Sequence, residues 1–238
     1  MTGIQKIQLG KLDRGKVRGL LFDIDGTLSD TDDHMVARVE KILQPFSWLI
    51  KNHNVRPFAR RLVMGMETPG NFLYNLADRL GLDNLFSKLI SLTSRKNRLR
   101  KLENSRFLLI PGVQEMLTRL KPEFKLAVVS ARDADSTLAF LEFFNLSHYF
   151  DVIVTGQTCR RTKPFADPVL FAAESLGLAP ETCVMIGDTV VDIKAGKAAG
   201  AQTVGVLCGF GTLREIQRTA PDLILSMTPY LTQLLFFG

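Results

Sequence analysis

The strongest constraint on this chain is a rhythm in its second half. Short Val-, Ile- and Leu-rich runs recur at Phe124–Ser130, Asp151–Thr155, Cys183–Ile186, Thr203–Leu207 and Asp222–Leu225. Between them lie segments of helical period: Leu138, Leu141 and Phe144, then Pro168–Leu176, then Val190–Ala199, with a last helix over Thr228–Phe236. A further run, Val17–Ile24, stands apart near the start. Strands this short and this uniformly apolar are buried on both faces, which requires helices above and below a parallel sheet. The expected class is therefore α/β, a doubly wound, Rossmann-like parallel sheet. No stretch of about eighteen uncharged apolar residues interrupts the pattern, so a membrane span is not expected.

The first strand is separated from the others by a segment of different character. From residue 32 to about 104 the apolar residues fall at three- and four-residue steps, as in Val36, Val39, Leu43, Phe46 and Ile50. Phe72, Leu73, Leu76 and Leu80 mark another helix that Gly81 can close. The expected organisation is a tail or extra edge hairpin over 1–16, an α/β core from 17–31 and 105–238, and an all-helical insert over 32–104. Charge divides the same way. Residues 31–106 hold 14 of the 30 Lys and Arg but only 7 of the 24 Asp and Glu, so the whole excess of +6 resides there. A basic segment beside a near-neutral one suggests a unit that meets anions. The three cysteines, Cys159, Cys183 and Cys208, lack metal-ligand spacing and read as reduced thiols of a cytoplasmic protein.

Open parallel sheets bind ligands beyond the carboxyl ends of their strands. Those ends carry Asp23-Ile24-Asp25-Gly26-Thr27, Ser130 and Gly187-Asp188, with Asp192 following and Lys163-Pro164 opening a helix. Taken singly, each is an ordinary turn, cap or loop. Together they gather Asp23, Asp25, Asp188 and Asp192 around one lysine and one serine. Carboxylates so crowded repel unless a cation neutralises them, and an oxygen-only donor set favours Mg²⁺ over Zn²⁺.

The stretch Phe22-Asp23-Ile24-Asp25-Gly26-Thr27-Leu28-Ser29-Asp30-Thr31 resembles the first motif of the haloacid dehalogenase superfamily hydrolases. Ser130 matches the second motif, Lys163 the third and Gly187-Asp188-Thr189-Val190-Val191-Asp192 the fourth. The segments Lys163–Pro168 and Ala195–Ala201 are similar to the phosphoglycolate phosphatase-like branch. The resemblance implies hydrolysis of a phosphate monoester of a small metabolite through an aspartyl phosphate. It implies Asp23 as nucleophile and Asp25 as general acid and base. Mg²⁺ would be held by Asp23, the backbone of Asp25 and Asp188, with Asp192 at or just behind them, and Thr27 would support Asp25. Ser130 and Lys163 would bind the phosphoryl oxygens. Ala131 departs from a frequent asparagine, and Arg132 is a candidate to replace the missing polar contact. An acid at position 25 fits an alkoxide leaving group, whereas halide needs no proton.

The same resemblance makes the helical insert a cap domain, with Arg61, Gly65 and Met66 in a substrate-specificity loop. Met64 and Met66 fit plain packing between helices equally well. The run Arg95–Lys101 is either a solvated helix face or a collector of polyanions. Two rival functions share these features. One is a phosphomutase resembling the β-phosphoglucomutases, and the other a nucleic-acid or partner-binding module using the basic insert. Against the latter, Phe46, Trp48, Phe58, Phe72, Tyr74 and Phe86 fall mostly at core-like helical positions, not on a stacking platform. Neither the identity of the metabolite nor the oligomeric state is encoded in these motifs.

Overall fold

The computed structural model describes residues 6–7, 12–30, 41, 43–44, 55 and 107–237. The chain divides into two units, Met1–Thr31 with Phe107–Gly238, and Asp32–Arg106. The helical readings of 32–104 fall, apart from isolated positions, outside the described residues.

In the first unit the strands are β1 (Lys6–Ile7), β2 (Gly19–Phe22), β3 (Lys125–Val129), β4 (Val152–Val154), β5 (Cys183–Gly187), β6 (Gln202–Val206) and β7 (Leu223–Leu225). The helices are α1 (Val113–Leu120), α2 (Ala134–Phe143), α3 (Asp167–Ser175), α4 (Val190–Ala198), α5 (Leu213–Arg218) and α6 (Tyr230–Phe237). One sheet of order β1-β7-β6-β5-β2-β3-β4 joins all seven strands. Six are parallel, and β1 pairs antiparallel with β7. This is the doubly wound α/β core that the apolar runs predict. The N-terminal segment contributes more than a tail, because Lys6 and Ile7 pair with Leu225 and Ile224. The short helix α5 is an addition that apolar periodicity misses. Its signal is polar: Thr212 and Glu215 cap it reciprocally, each side chain bonding the other's backbone N–H.

Alternation along each strand builds two cores. Leu20 and Phe22 of β2 face one side with Leu126, Val128, Val184 and Ile186, against α1, α2 and α6. Leu21 faces the other side with Ala127, Val129 and Met185, against α3 and α4. Small residues bring the second layer close. A Cβ on Gly196 of α4 would sit 2.7 Å from Thr203 and 2.8 Å from Met185. With burial on both faces, a polar residue has no tolerable place within β2. Asp23 comes one residue after its end, where the sheet opens.

Strand order explains why the site lies there. From β2 the chain steps to β3 and β4 on one side, then returns to β5 on the other. The loops after β2, β3 and β5 diverge around β2 and leave a crevice at its carboxyl end.

Candidate active site

Asp23 continues the β2–β5 ladder by one bond, its N–H donating to Ile186 O at 3.0 Å. The chain then leaves the strand. The N–H groups of Thr27, Leu28 and Ser29 all donate to Ile24 O, and Gly26 takes φ +70°. This turn sends Asp23 and Asp25 to different partners, although residues two apart in a strand would point alike.

Asp23 meets Lys163. The buried ammonium donates to Asp23 Oδ1 at 2.7 Å, to Asp192 Oδ1 at 2.6 Å and to the carbonyl of Val129 at 2.9 Å. The second oxygen of Asp192 accepts the N–H of Thr189 at 3.0 Å, so both its oxygens are already engaged. Asp188 is fully buried after β5 and accepts the N–H of Phe210 at 2.6 Å. Carboxylate oxygens of Asp23, Asp188 and Asp192 lie within 4.8 Å of one another. Burial pushes Asp23 up to about 7, with Lys163 working against this and the charges of Asp192 and Asp25 adding to it. For Lys163 burial acts against the charge, but Asp192 and Asp23 outweigh it and hold the ammonium above the ordinary lysine range. Three buried acids around one lysine leave negative charge in excess, and every donor is oxygen. That set fits a hard divalent cation such as Mg²⁺.

Asp25 meets Arg132 instead. Arg132 Nε donates to Asp25 Oδ2 at 2.6 Å while its Nη2 bonds Oδ1, a two-pronged pairing. Ser130 is buried at the end of β3, and its Oγ accepts the N–H of Arg132 at 3.2 Å. Thr27 does not support Asp25 by a hydrogen bond. Its Oγ1 is buried with no hydrogen-bond partner among the described residues, and its carbonyl accepts from Thr228 Oγ1 at 2.7 Å. Arg61, Gly65, Met66 and the basic run 95–101 lie outside the described residues.

The structure also brings in residues that motif reading leaves aside. The loop after β6 wraps Asp188 with Gly209 and the Phe210 N–H, and Cys208 Sγ lies 3.3 Å from Gly26 O. Two glycines, 209 and 211, a few residues beyond a parallel strand are the signal that could have marked it. Arg132 is visible in the sequence only as the candidate to replace the polar contact that Ala131 lacks.

The family described as haloacid dehalogenase-like hydrolase matches residues 20–206. The chain belongs to this family. Among haloacid dehalogenase-like relatives, the phosphoglycolate phosphatase of Aquifex aeolicus is 33% identical, covering 92% of this chain and 97% of its own. The phosphoglycolate phosphatase of Nitrosococcus oceani is 31% identical, covering 87% and 91%. A hydrolase structure from Pseudomonas syringae shares the fold, with TM-score 0.68, 22% identity and coverage of 93% and 99%. Among the described residues of this haloacid dehalogenase-like chain, no helix is long and apolar enough to cross a membrane.

Proposed function

We propose that the protein hydrolyses the phosphate monoester of a small metabolite, in the manner of its phosphoglycolate phosphatase relatives, through an aspartyl phosphate on Asp23. The observation that carries this reading is the buried bond of Lys163 to Asp23 at the carboxyl end of the central strand. A carboxylate held there by a lysine is a nucleophile beside its own phosphoryl clamp.

Asp23 Oδ attacks phosphorus, and the P–O bond to the leaving group breaks. Asp25 supplies the proton that the departing alkoxide takes up. Lys163 and Ser130 bind the phosphoryl oxygens during transfer. Asp25 then accepts a proton from water as its oxygen attacks the aspartyl phosphate, releasing inorganic phosphate and restoring Asp23. Mg²⁺, held by the carboxylates of Asp23 and Asp188 and the backbone carbonyl of Asp25, would supply neutralising charge to the phosphoryl group. Asp192 sits behind them, holding Lys163. The acid at position 25 favours an oxygen leaving group over halide.

In this reading residues 32–104 are a cap domain, in which Arg61, Gly65 and Met66 help to select the metabolite. Its excess charge suits an anionic substrate. A phosphate-release screen over phosphorylated metabolites, with Mg²⁺ and after chelation, tests the proposal. Stoichiometric phosphate release from one monoester, lost on chelation, is the expected result. Isomerisation of a sugar phosphate without phosphate release would make the protein a mutase. Salt-sensitive retention on nucleic acid without phosphate release would make it a binding module.

A further inference from the structure

We propose that Arg132 is the positioning residue for the acid–base carboxylate of Asp25, acting through its two-pronged pairing and not through charge alone. The inference rests on the role given to Asp25 above. A general acid must present one oxygen to the leaving group, so its plane has to be fixed. Thr27 does not do this, since its hydroxyl makes no hydrogen bond among the described residues. Arg132 does: Nε and Nη2 each take one oxygen of Asp25, and side chains on both sides are mostly buried. Each carboxylate oxygen has two lone pairs. The fork takes one on each and so fixes the plane of the carboxylate.

Arg132 is itself held from several directions. Its N–H bonds Ser130 Oγ, its carbonyl accepts the N–H of Gly156 at 2.7 Å, and its guanidinium lies over the Phe140 ring, 5.4 Å from the centroid. Gly156 allows that approach, because a Cβ there would come within 2.5 Å of Ala131 O. The next residue, Asp133, caps α2 by accepting the N–H of Ser136 at 3.0 Å. The clamp on the acid and the serine assigned to the phosphoryl group thus share one loop. Lysine cannot reproduce the planar fork.

The test compares kcat/KM on ethyl phosphate, whose alkoxide needs a proton, with 4-nitrophenyl phosphate, whose phenolate leaves without one. The ratio of the two is independent of how much enzyme is folded, so loss of stability cannot imitate the effect. General acid catalysis contributes roughly 10²–10⁴-fold. Arg132→Met and Arg132→Lys are each expected to lower the ethyl-to-aryl ratio by about tenfold or more. Asp25→Asn should lower it at least as far. An unchanged ratio in both Arg132 variants, with Asp25→Asn shifted, overturns the inference alone. So does a wild-type ratio in Arg132→Lys, which would mean that charge suffices. An unchanged ratio in Asp25→Asn overturns the role of Asp25 and this inference with it.

Discussion

Gly209 lies so close to Asp188 that a methyl group on it would sit 2.1 Å from the carboxylate Oδ2. The same methyl would meet Gly26 Cα at 2.6 Å. The second contact is with backbone, so the strain falls on the Asp188 side chain. Gly209→Ala should therefore push Asp188 off its position while leaving the two cores intact. Mutations behind a metal ligand typically cost about 10–100-fold in metal affinity. With Asp188 holding Mg²⁺ as proposed, activity titrated against Mg²⁺ should shift to higher concentration by that order. A titration that overlays the wild-type curve would remove this loop from the site.

Asp23→Asn keeps the volume of the side chain and an oxygen for Lys163, so the fold should persist. The amide cannot carry a phosphoryl group as an acyl phosphate. Turnover is expected to fall below detection, with an unchanged circular dichroism spectrum. Near-normal turnover would discard the mechanism.

Lys163→Met should unfold the protein more easily as well as inactivate it. Removing one partner of a buried ion pair costs about 3–5 kcal/mol, because the opposite charge stays behind. Here two acids stay behind, Asp23 and Asp192. Adding Asp23→Asn to Lys163→Met should return part of the loss, since the carboxylates and the lysine share one network. Urea denaturation of the two single variants and the double variant measures this. Strict additivity would contradict the shared network.

Asp151 gives a stability prediction remote from the chemistry. Burial alone would raise its carboxyl, but the Lys121 ammonium at 2.6 Å and the Leu126 N–H at 2.9 Å outweigh that and hold it below its ordinary 3.8. A depressed acid stabilises the fold above its unfolded pKa and loses that contribution as pH falls through the folded value. Asp151→Asn should thus lower Tm at neutral pH. The pair is partly exposed, so the ion-pair share is at most about 1 kcal/mol. The difference from wild type should shrink as pH drops below about 4. A difference that grows toward acid pH would show the wrong sign.

The sheet was legible because burial on both faces leaves few residue types for a strand. Leu20 to Phe22, Leu126 to Val129 and Val184 to Ile186 have no charged residue among them. Strand ends also marked where Asp23, Ser130 and Asp188 would gather. Partnership was harder to read. Nothing local to Asp25 indicates that its carboxylate pairs with a guanidinium 107 residues away rather than with Thr27. The role of Phe210 was hidden because a backbone N–H has no sequence signature. Helix α5 was missed because its six residues are too few to display a period, and only its polar caps announce it.

The last consequence comes from the seam where the long insert leaves the sheet. Asp30 N–H donates to Leu108 O at 2.9 Å, Ile110 N–H to Leu28 O at 3.0 Å, and Ser29 Oγ to Leu108 O at 3.1 Å. The core therefore pins both ends of the intervening segment at one point, and bringing those ends together is settled by bonds belonging to the core. Loop-closure free energy grows only slowly with length, by about 0.6 kcal/mol per doubling. Segments of very different size can hang from the same seam at similar cost to the sheet below. An ancestor could exchange what it carried between Asp30 and Leu108 while keeping Asp23, Lys163 and Asp188 unchanged. On the proposed reading, in which the insert selects the metabolite, substrate range and phosphoryl chemistry could then evolve on separate clocks.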